Sequence, residues 1–111
     1  MKLVIVKKVI AFLSIVLSVT YSDIIYRVPI EGVIDLGLPP YIKRVIKEAE
    51  DSKVKAIVFE INTFGGRVDA ATQIKDSILS SNVQTIGFIN RRAISAGALI
   101  SLSCEKIYMT G

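Results

Sequence analysis

Apolar residues along this chain switch between two spacings. From Val54 to Ile61 they run with few polar interruptions, the pattern of a strand covered on both faces. Asn62-Thr63 ends that strand and Gly65-Gly66 follows. Ala70, Ala71, Ile74 and Ile78 then recur behind Asp69 at helical spacing. After a turn at Ser80-Ser81-Asn82, Val83 to Asn90 predicts another buried strand, with Val83, Ile86, Phe88 and Ile89 as its apolar positions. Ile94 to Ile100 is a small-residue segment entering an apolar helix, and Glu105 to Met109 reads as a further strand. Upstream, Ile24 to Ile34 is interrupted by Pro29 and Gly32, which predicts a strand, a kink and a second short strand, or an edge hairpin. Pro39 and Pro40 suit a first helical turn, and Ile42, Val45, Ile46 and Ala49 mark one face of that helix. Lys43, Arg44, Lys47, Glu48, Glu50 and Asp51 form its solvated face. Strand and helix alternating in this way predict an α/β fold with crossover units and a parallel sheet.

The first 22 residues follow a different rule. Lys2, Lys7 and Lys8 precede an apolar run from Val9 to Val19 that only Ser14 and Ser18 interrupt. Thr20 and Ser22 place small residues where a signal peptidase reads, with Asp23 beyond. The expectation is a signal peptide over residues 1–22 and export of the remaining chain. A short uncleaved anchor is the alternative, although the run is short against the roughly 20 residues a spanning helix needs.

With 111 residues the chain forms one domain at most, here residues 23–111. Its net charge of +4 is modest, and no basic patch is interleaved with aromatics, so nucleic acid is not an expected partner. There is no histidine. That removes any Ser-His or Cys-His dyad built from this chain and makes a zinc site improbable. No metal or cofactor is expected. Cys104 is the single cysteine, so it forms no internal disulfide and reads as a buried structural thiol.

Candidate chemistry lies in two small-residue turns. Gly65-Gly66 leaves backbone N–H groups bare between a strand and a helix, an arrangement that presents donors to a phosphate or to an oxyanion. Ser95 follows a strand and opens a helix, with little cover from Ala93, Ala96 and Gly97. A nucleophilic serine needs that access, a base, and oxyanion donors, which the glycine turn and the Ala96 amide could supply. The competing reading is that Ser95 only caps its helix. Ser101 and Ser103 have no matching glycine turn and read as packing residues.

Glu60-Ile61-Asn62-Thr63-Phe64-Gly65-Gly66-Arg67-Val68-Asp69-Ala70, followed by Ala93-Ile94-Ser95-Ala96-Gly97-Ala98 and Lys106-Ile107-Tyr108-Met109, resembles the NfeD-type membrane-bound serine proteases. These are partners of stomatin-like proteins within the Clp protease/crotonase superfamily. The resemblance runs from about Arg27 to the end. It implies a Clp protease/crotonase-like spiral of ββα units and a serine–lysine dyad. Ser95 would be the nucleophile, Gly66 with Gly65 the oxyanion turn, and Ala96 the second amide. It further implies an endopeptidase cleaving apolar segments such as the tail of a stomatin-like membrane protein, membrane-associated on the extracytoplasmic side and homo-oligomeric.

Two departures stand out. The family usually has proline where this chain has Phe64, a loosening worth about 0.4–1 kcal/mol through chain entropy. The family's lysine base would fall past Gly111, and Lys106 is too near in sequence to match it, so the fold is expected to be incomplete at its C-terminus. The alternatives are a catalytically inactive Clp-like binding or assembly module and a protease like signal peptide peptidase A. A thioester-processing crotonase conflicts with export. A phosphate site lacks the spacing and Lys-Ser/Thr ending of a P-loop.

Overall fold

The computed structural model describes residues 23–111. The expected signal peptide or anchor over residues 1–22 lies outside them. The elements are β1 (Ile25–Ile34), α1 (Leu38–Asp51), β2 (Ala56–Gly66), α2 (Val68–Leu79), β3 (Gln84–Ala93), α3 (Ala96–Ser103) and β4 (Lys106–Met109). The four strands lie side by side in the order of the sequence, each parallel to the next. Each crossover between neighbouring parallel strands takes the same hand, which brings the helices to one face of the sheet.

That face holds the core. Val28, Ile30 and Ile34 of β1 and Ile57, Phe59 and Ile61 of β2 are buried under Ile42, Ile46 and Ala49 of α1, Ala70, Ala71, Ile74 and Ile78 of α2, and Ala96 and Ile100 of α3. The helical positions are those that the 3.6-residue spacing selects. Fully burying an aliphatic or aromatic side chain stabilises by about 1.5–3 kcal/mol, so this layer supplies most of the driving force.

The opposite face is closed differently. Glu60 is buried there between strands, not beneath an apolar layer. Arg27 Nε donates to Glu60 Oε2 at 2.5 Å and Asn90 Nδ2 donates to Oε1 at 3.0 Å, linking three strands. The Asn90 amide first, and then the Arg27 guanidinium, hold the Glu60 carboxyl below the usual carboxylate range. The expectation of apolar cover on both faces is therefore met on the helix side only, among the described residues.

Two strand boundaries differ from expectation. β2 continues through Asn62-Thr63 to Gly66, and β3 continues past Asn90 to Ala93. The reason is a bulge at the same level in neighbouring strands. Register shifts between Glu31 and Val33 and between Ile61 and Thr63, and pairing then resumes as Val33 with Gly65, Ile34 with Gly66, and Thr63 with Ala93. Each long strand thus bends and runs on as a short second strand before its helix, the ββα unit in outline. β1 is a parallel edge strand kinked at Gly32 (φ 74°), not a hairpin. Its Pro29 sits where a missing N–H is tolerated. No helix among the described residues is long and apolar enough to cross a membrane.

Candidate active site

The bulged ends of β1, β2 and β3 bring the two small-residue turns together at one end of the sheet. Ser95 occupies the step from β3 to α3 with φ 55° and ψ −116°. Gly97 N–H donates to the Ile94 carbonyl at 3.0 Å, so residues 94–97 form a type II′ turn with Ser95 at a position that ordinarily takes glycine. A serine held there costs of order 1–3 kcal/mol, which packing must offset. The Ser95 backbone carbonyl accepts from Ala98 N–H at 2.9 Å and Leu99 N–H at 3.3 Å. Its side chain makes no capping hydrogen bond and the residue is exposed. The capping alternative is therefore not what the structure contains. A strained strand-to-helix turn that lifts a serine hydroxyl to the surface is the geometry of a nucleophile elbow.

Gly65 lies against this elbow. A methyl group on it would stand 2.9 Å from the Ile94 carbonyl oxygen, 3.0 Å from Ser95 Cβ and 3.3 Å from Ala96 N, and its φ is 109°. No larger residue fits without moving Ser95. Gly66 is required by a different contact, since a methyl there would meet the Ile34 oxygen at 2.2 Å.

The two glycines also differ in their amides. Gly65 N–H donates to Thr63 Oγ1 at 2.9 Å, which occupies it and corrects the expectation that Gly65 offers a free donor. Gly66 sits opposite Ile34, whose carbonyl accepts from Arg67 N–H at 2.8 Å. A residue straddled in this way in a parallel ladder directs its own N–H to the other side, here toward β3 and the Ser95 turn. The Ala96 amide lies at the N-terminus of α3, where negative charge is favoured.

The surroundings are polar and cationic. Arg92 packs its guanidinium over the exposed Phe64 ring, 4.3 Å from the centroid. Arg67 Nε and Nη2 grip Asp69 at 3.0 and 2.8 Å. The Arg67 contact holds the Asp69 carboxyl low, and Asp69 in turn raises Arg67.

Lys106, the lysine nearest to Ser95 in the sequence, does not sit at this end. Lys106 opens β4 and pairs with Ile86 near the start of β3. Ile86 is seven residues before Ala93, roughly 23 Å of extended strand from the Ser95 turn. Ser101 and Ser103 are buried and donate to the Gly97 and Ile100 carbonyls at 2.8 and 2.5 Å, as packing residues do. Burial pushes the Cys104 thiol up to about 12, so it is protonated and unreactive at neutral pH. No group of His, Cys, Asp or Glu among the described residues could hold a metal ion. The residue that sequence reasoning missed is Thr63, which in the bare sequence reads as the end of a strand. A hydroxyl-bearing β-branched residue two positions before a glycine is the available signal.

The model of the NfeD1b N-terminal domain matches residues 24–111. The chain belongs to the NfeD1b family. It is 36% identical over 85 residues to the membrane protein NfeD1b of Bacillus subtilis, covering 77% of this chain and 20% of that protein. It is 33% identical over 91 residues to the membrane-bound protease PH1510 of Pyrococcus horikoshii, covering 79% and 21%. The chain thus spans about a fifth of the length of these curated relatives. Among solved structures, a lysine-to-alanine variant of the 1510-N membrane-bound stomatin-specific protease, in complex with a substrate peptide, superposes with a TM-score of 0.73 at 31% identity. That match covers 81% of this chain and 42% of the other. ClpP1 of Listeria monocytogenes superposes with a TM-score of 0.58 at 29% identity, covering 71% and 46%. The NfeD1b domain described here therefore has the Clp-like α/β fold expected from its sequence.

Proposed function

We propose that residues 23–111 carry the nucleophile half of a membrane-associated, extracytoplasmic serine endopeptidase acting on apolar peptide segments. A stomatin-like membrane protein is the proposed partner, and the enzyme works as a homo-oligomer. The single observation behind this reading is the exposed Ser95 on a strained II′ turn with Gly65 packed against it. Ser95 Oγ attacks the scissile carbonyl carbon, and its proton passes to a neutral lysine amine. The carbonyl oxygen becomes an oxyanion that accepts from the Gly66 and Ala96 N–H groups. The tetrahedral adduct collapses, the C–N bond breaks, and the same proton goes to the leaving amine. Water then hydrolyses the acyl-serine by the reverse sequence. The lysine comes from outside residues 23–111, since Lys106 lies at the far end of the sheet. Ser95 alone, without a base, is a weak nucleophile.

Ser95→Ala in the full-length protein is the test, with cleavage of an apolar peptide as readout. Loss of cleavage with an unchanged melting curve is expected. Full cleavage by that variant overturns the assignment. The second reading is a Clp-like binding module that keeps the turn without the chemistry. Retained peptide binding with no cleavage by the wild-type protein would decide for it.

A further inference from the structure

We propose that Thr63 is a positioning residue that sets the distance between the Gly66 amide and the Ser95 elbow. The proposal rests on the serine-nucleophile reading above. Thr63 is 2% exposed, and every polar atom it has beyond its strand pairing is spent on this one corner of the fold. Its hydroxyl donates to the Gly32 carbonyl at the β1 kink and accepts from Gly65 N–H at 2.9 Å. Its own carbonyl accepts from Ile94 N–H at 3.1 Å, one residue before the nucleophile. Its methyl group fills the space that a side chain on Gly97 would need, 2.5 Å from where that Cβ would stand. One side chain and one carbonyl therefore touch the edge strand, the glycine turn, the elbow and the start of α3.

Removing the hydroxyl has a definite consequence. The Gly65 amide and the Gly32 carbonyl lose their shared partner. The peptide planes at Gly65 and Gly66, which carry no side chains of their own, are then held on the β1 side only, through the pairing of Val33 with Gly65 and Ile34 with Gly66. Ser95 stays anchored through Ile94, so the donor and the nucleophile fall out of register with one another. Thr85 provides the control. It is as buried as Thr63, and its hydroxyl likewise accepts a backbone N–H, from Glu105 at 3.1 Å, but at the opposite end of the sheet.

The experiment is phosphonate labelling of Ser95 in full-length wild type, Thr63→Val, Thr63→Ser and Thr85→Val, with hydrogen exchange measured by mass spectrometry on the same samples. The fluorophosphonate forms an O–P bond to Ser95 Oγ as the P–F bond breaks and fluoride leaves, and the hydroxyl proton passes to the lysine amine. Thr63→Val should lower the maximal labelling rate about 100-fold, with half-saturation unchanged, the scale expected for a misplacement near 1 Å. Thr63→Ser should restore the rate. Thr85→Val should lose melting temperature but keep its labelling rate. Wild-type labelling by Thr63→Val, or an equal loss in Thr85→Val, overturns the proposal. Should Thr63→Val not fold, Thr63→Cys keeps the size with a weaker donor and should label about 10-fold more slowly. A wild-type rate in that variant also overturns the proposal. If wild-type Ser95 takes no label, the serine reading fails and hydrogen exchange decides for Thr63. Residues 65–67 and 94–98 should then exchange faster together in Thr63→Val and stay protected in Thr85→Val. Unchanged protection at 94–98 overturns the coupling.

Discussion

Where the strands end, the chain turns into helices under strain; where the helices end, it turns back into strands with its hydrogen bonds met. At the first end Ser95 and Arg91 both take positive φ, of 55° and 83°, and Gly65 leaves no room for a side chain. At the second end Ser52 N–H reaches the Glu48 carbonyl at 2.9 Å, Ser80 N–H reaches Asp76 at 3.1 Å, and Asn82 N–H reaches a Glu50 carboxylate oxygen at 3.0 Å. Lys53, with φ 52°, is the exception there, in the ordinary left-handed position after a helix. A cavity of about 550 Å³ also lies at this relaxed end, lined by Glu50, Lys53, Lys55 and Asn82. Concavity and strain thus point to opposite ends. Strain is the better guide, because a conformation costing of order 1–3 kcal/mol persists only where the surroundings over-determine it. Parallel α/β sheets also bind ligands beyond the carboxyl ends of their strands.

The largest effect is expected from filling the strained end. Gly66→Ala drives a methyl into the Ile34 backbone, where the oxygen would be 2.2 Å away and no flexible side chain can yield. A loss of about 3 kcal/mol is expected in denaturant unfolding. A variant as stable as wild type would mean that β1 can slide away, and that this end is not over-determined.

At the relaxed end the next largest effect is set by pH. Cys104 lies between α3 and β4, and burial pushes its thiol up to about 12. An unfolded cysteine titrates near 8.5. The folded protein therefore holds this proton where the unfolded chain loses it. Stability attributable to Cys104 is complete below about pH 8.5 and declines as pH rises toward 12. Cys104→Ala should flatten that alkaline decline. An unchanged slope in urea titrations between pH 8 and 10 would show that the thiol is solvated.

Much of this contrast was legible from residue order, for reasons that differ by element. The faces of α1 and α2 followed from spacing, since a helix buries what recurs every three to four positions. Ser95 and the glycines were legible because small residues cluster where backbones approach closely. The ends of β2 and β3 were not, because a shift of one residue of register between β1 and β2, and of two between β2 and β3, leaves no mark in hydropathy. Asn62-Thr63 looks like a terminus, yet Thr63 pairs with Ala93 and ties the turn together. Nor could the sequence say that the Gly65 amide is occupied while Gly66 points the other way, since two adjacent glycines look alike until the ladder is drawn.

A smaller effect separates strain that serves chemistry from strain that does not. Ser95→Gly relieves a positive φ and should raise stability by about 1 kcal/mol while abolishing labelling. Lys53→Gly relieves one at the other end and should add about 0.5 kcal/mol with labelling untouched. Thermal melts with parallel labelling check both. If Ser95→Gly brings no gain in stability, the elbow is not strained and the comparison loses its basis.

The smallest effect is expected from Lys106. It begins β4 beside Ile86, its side chain lies on an exposed strand, and roughly 23 Å of extended chain separates that level of the sheet from the Ser95 turn. A lysine must come within hydrogen-bond reach of the serine hydroxyl to take its proton, about 2.6–3.2 Å between heavy atoms. No rotamer spans the difference. Lys106→Ala should therefore leave phosphonate labelling of full-length protein at the wild-type rate, and should change stability by no more than about 0.5 kcal/mol, the usual range for exposed positions. Abolished labelling with the fold intact would place the base at the relaxed end of a neighbouring subunit. In that case the two ends of the sheet would form a single site across an interface between copies of the chain.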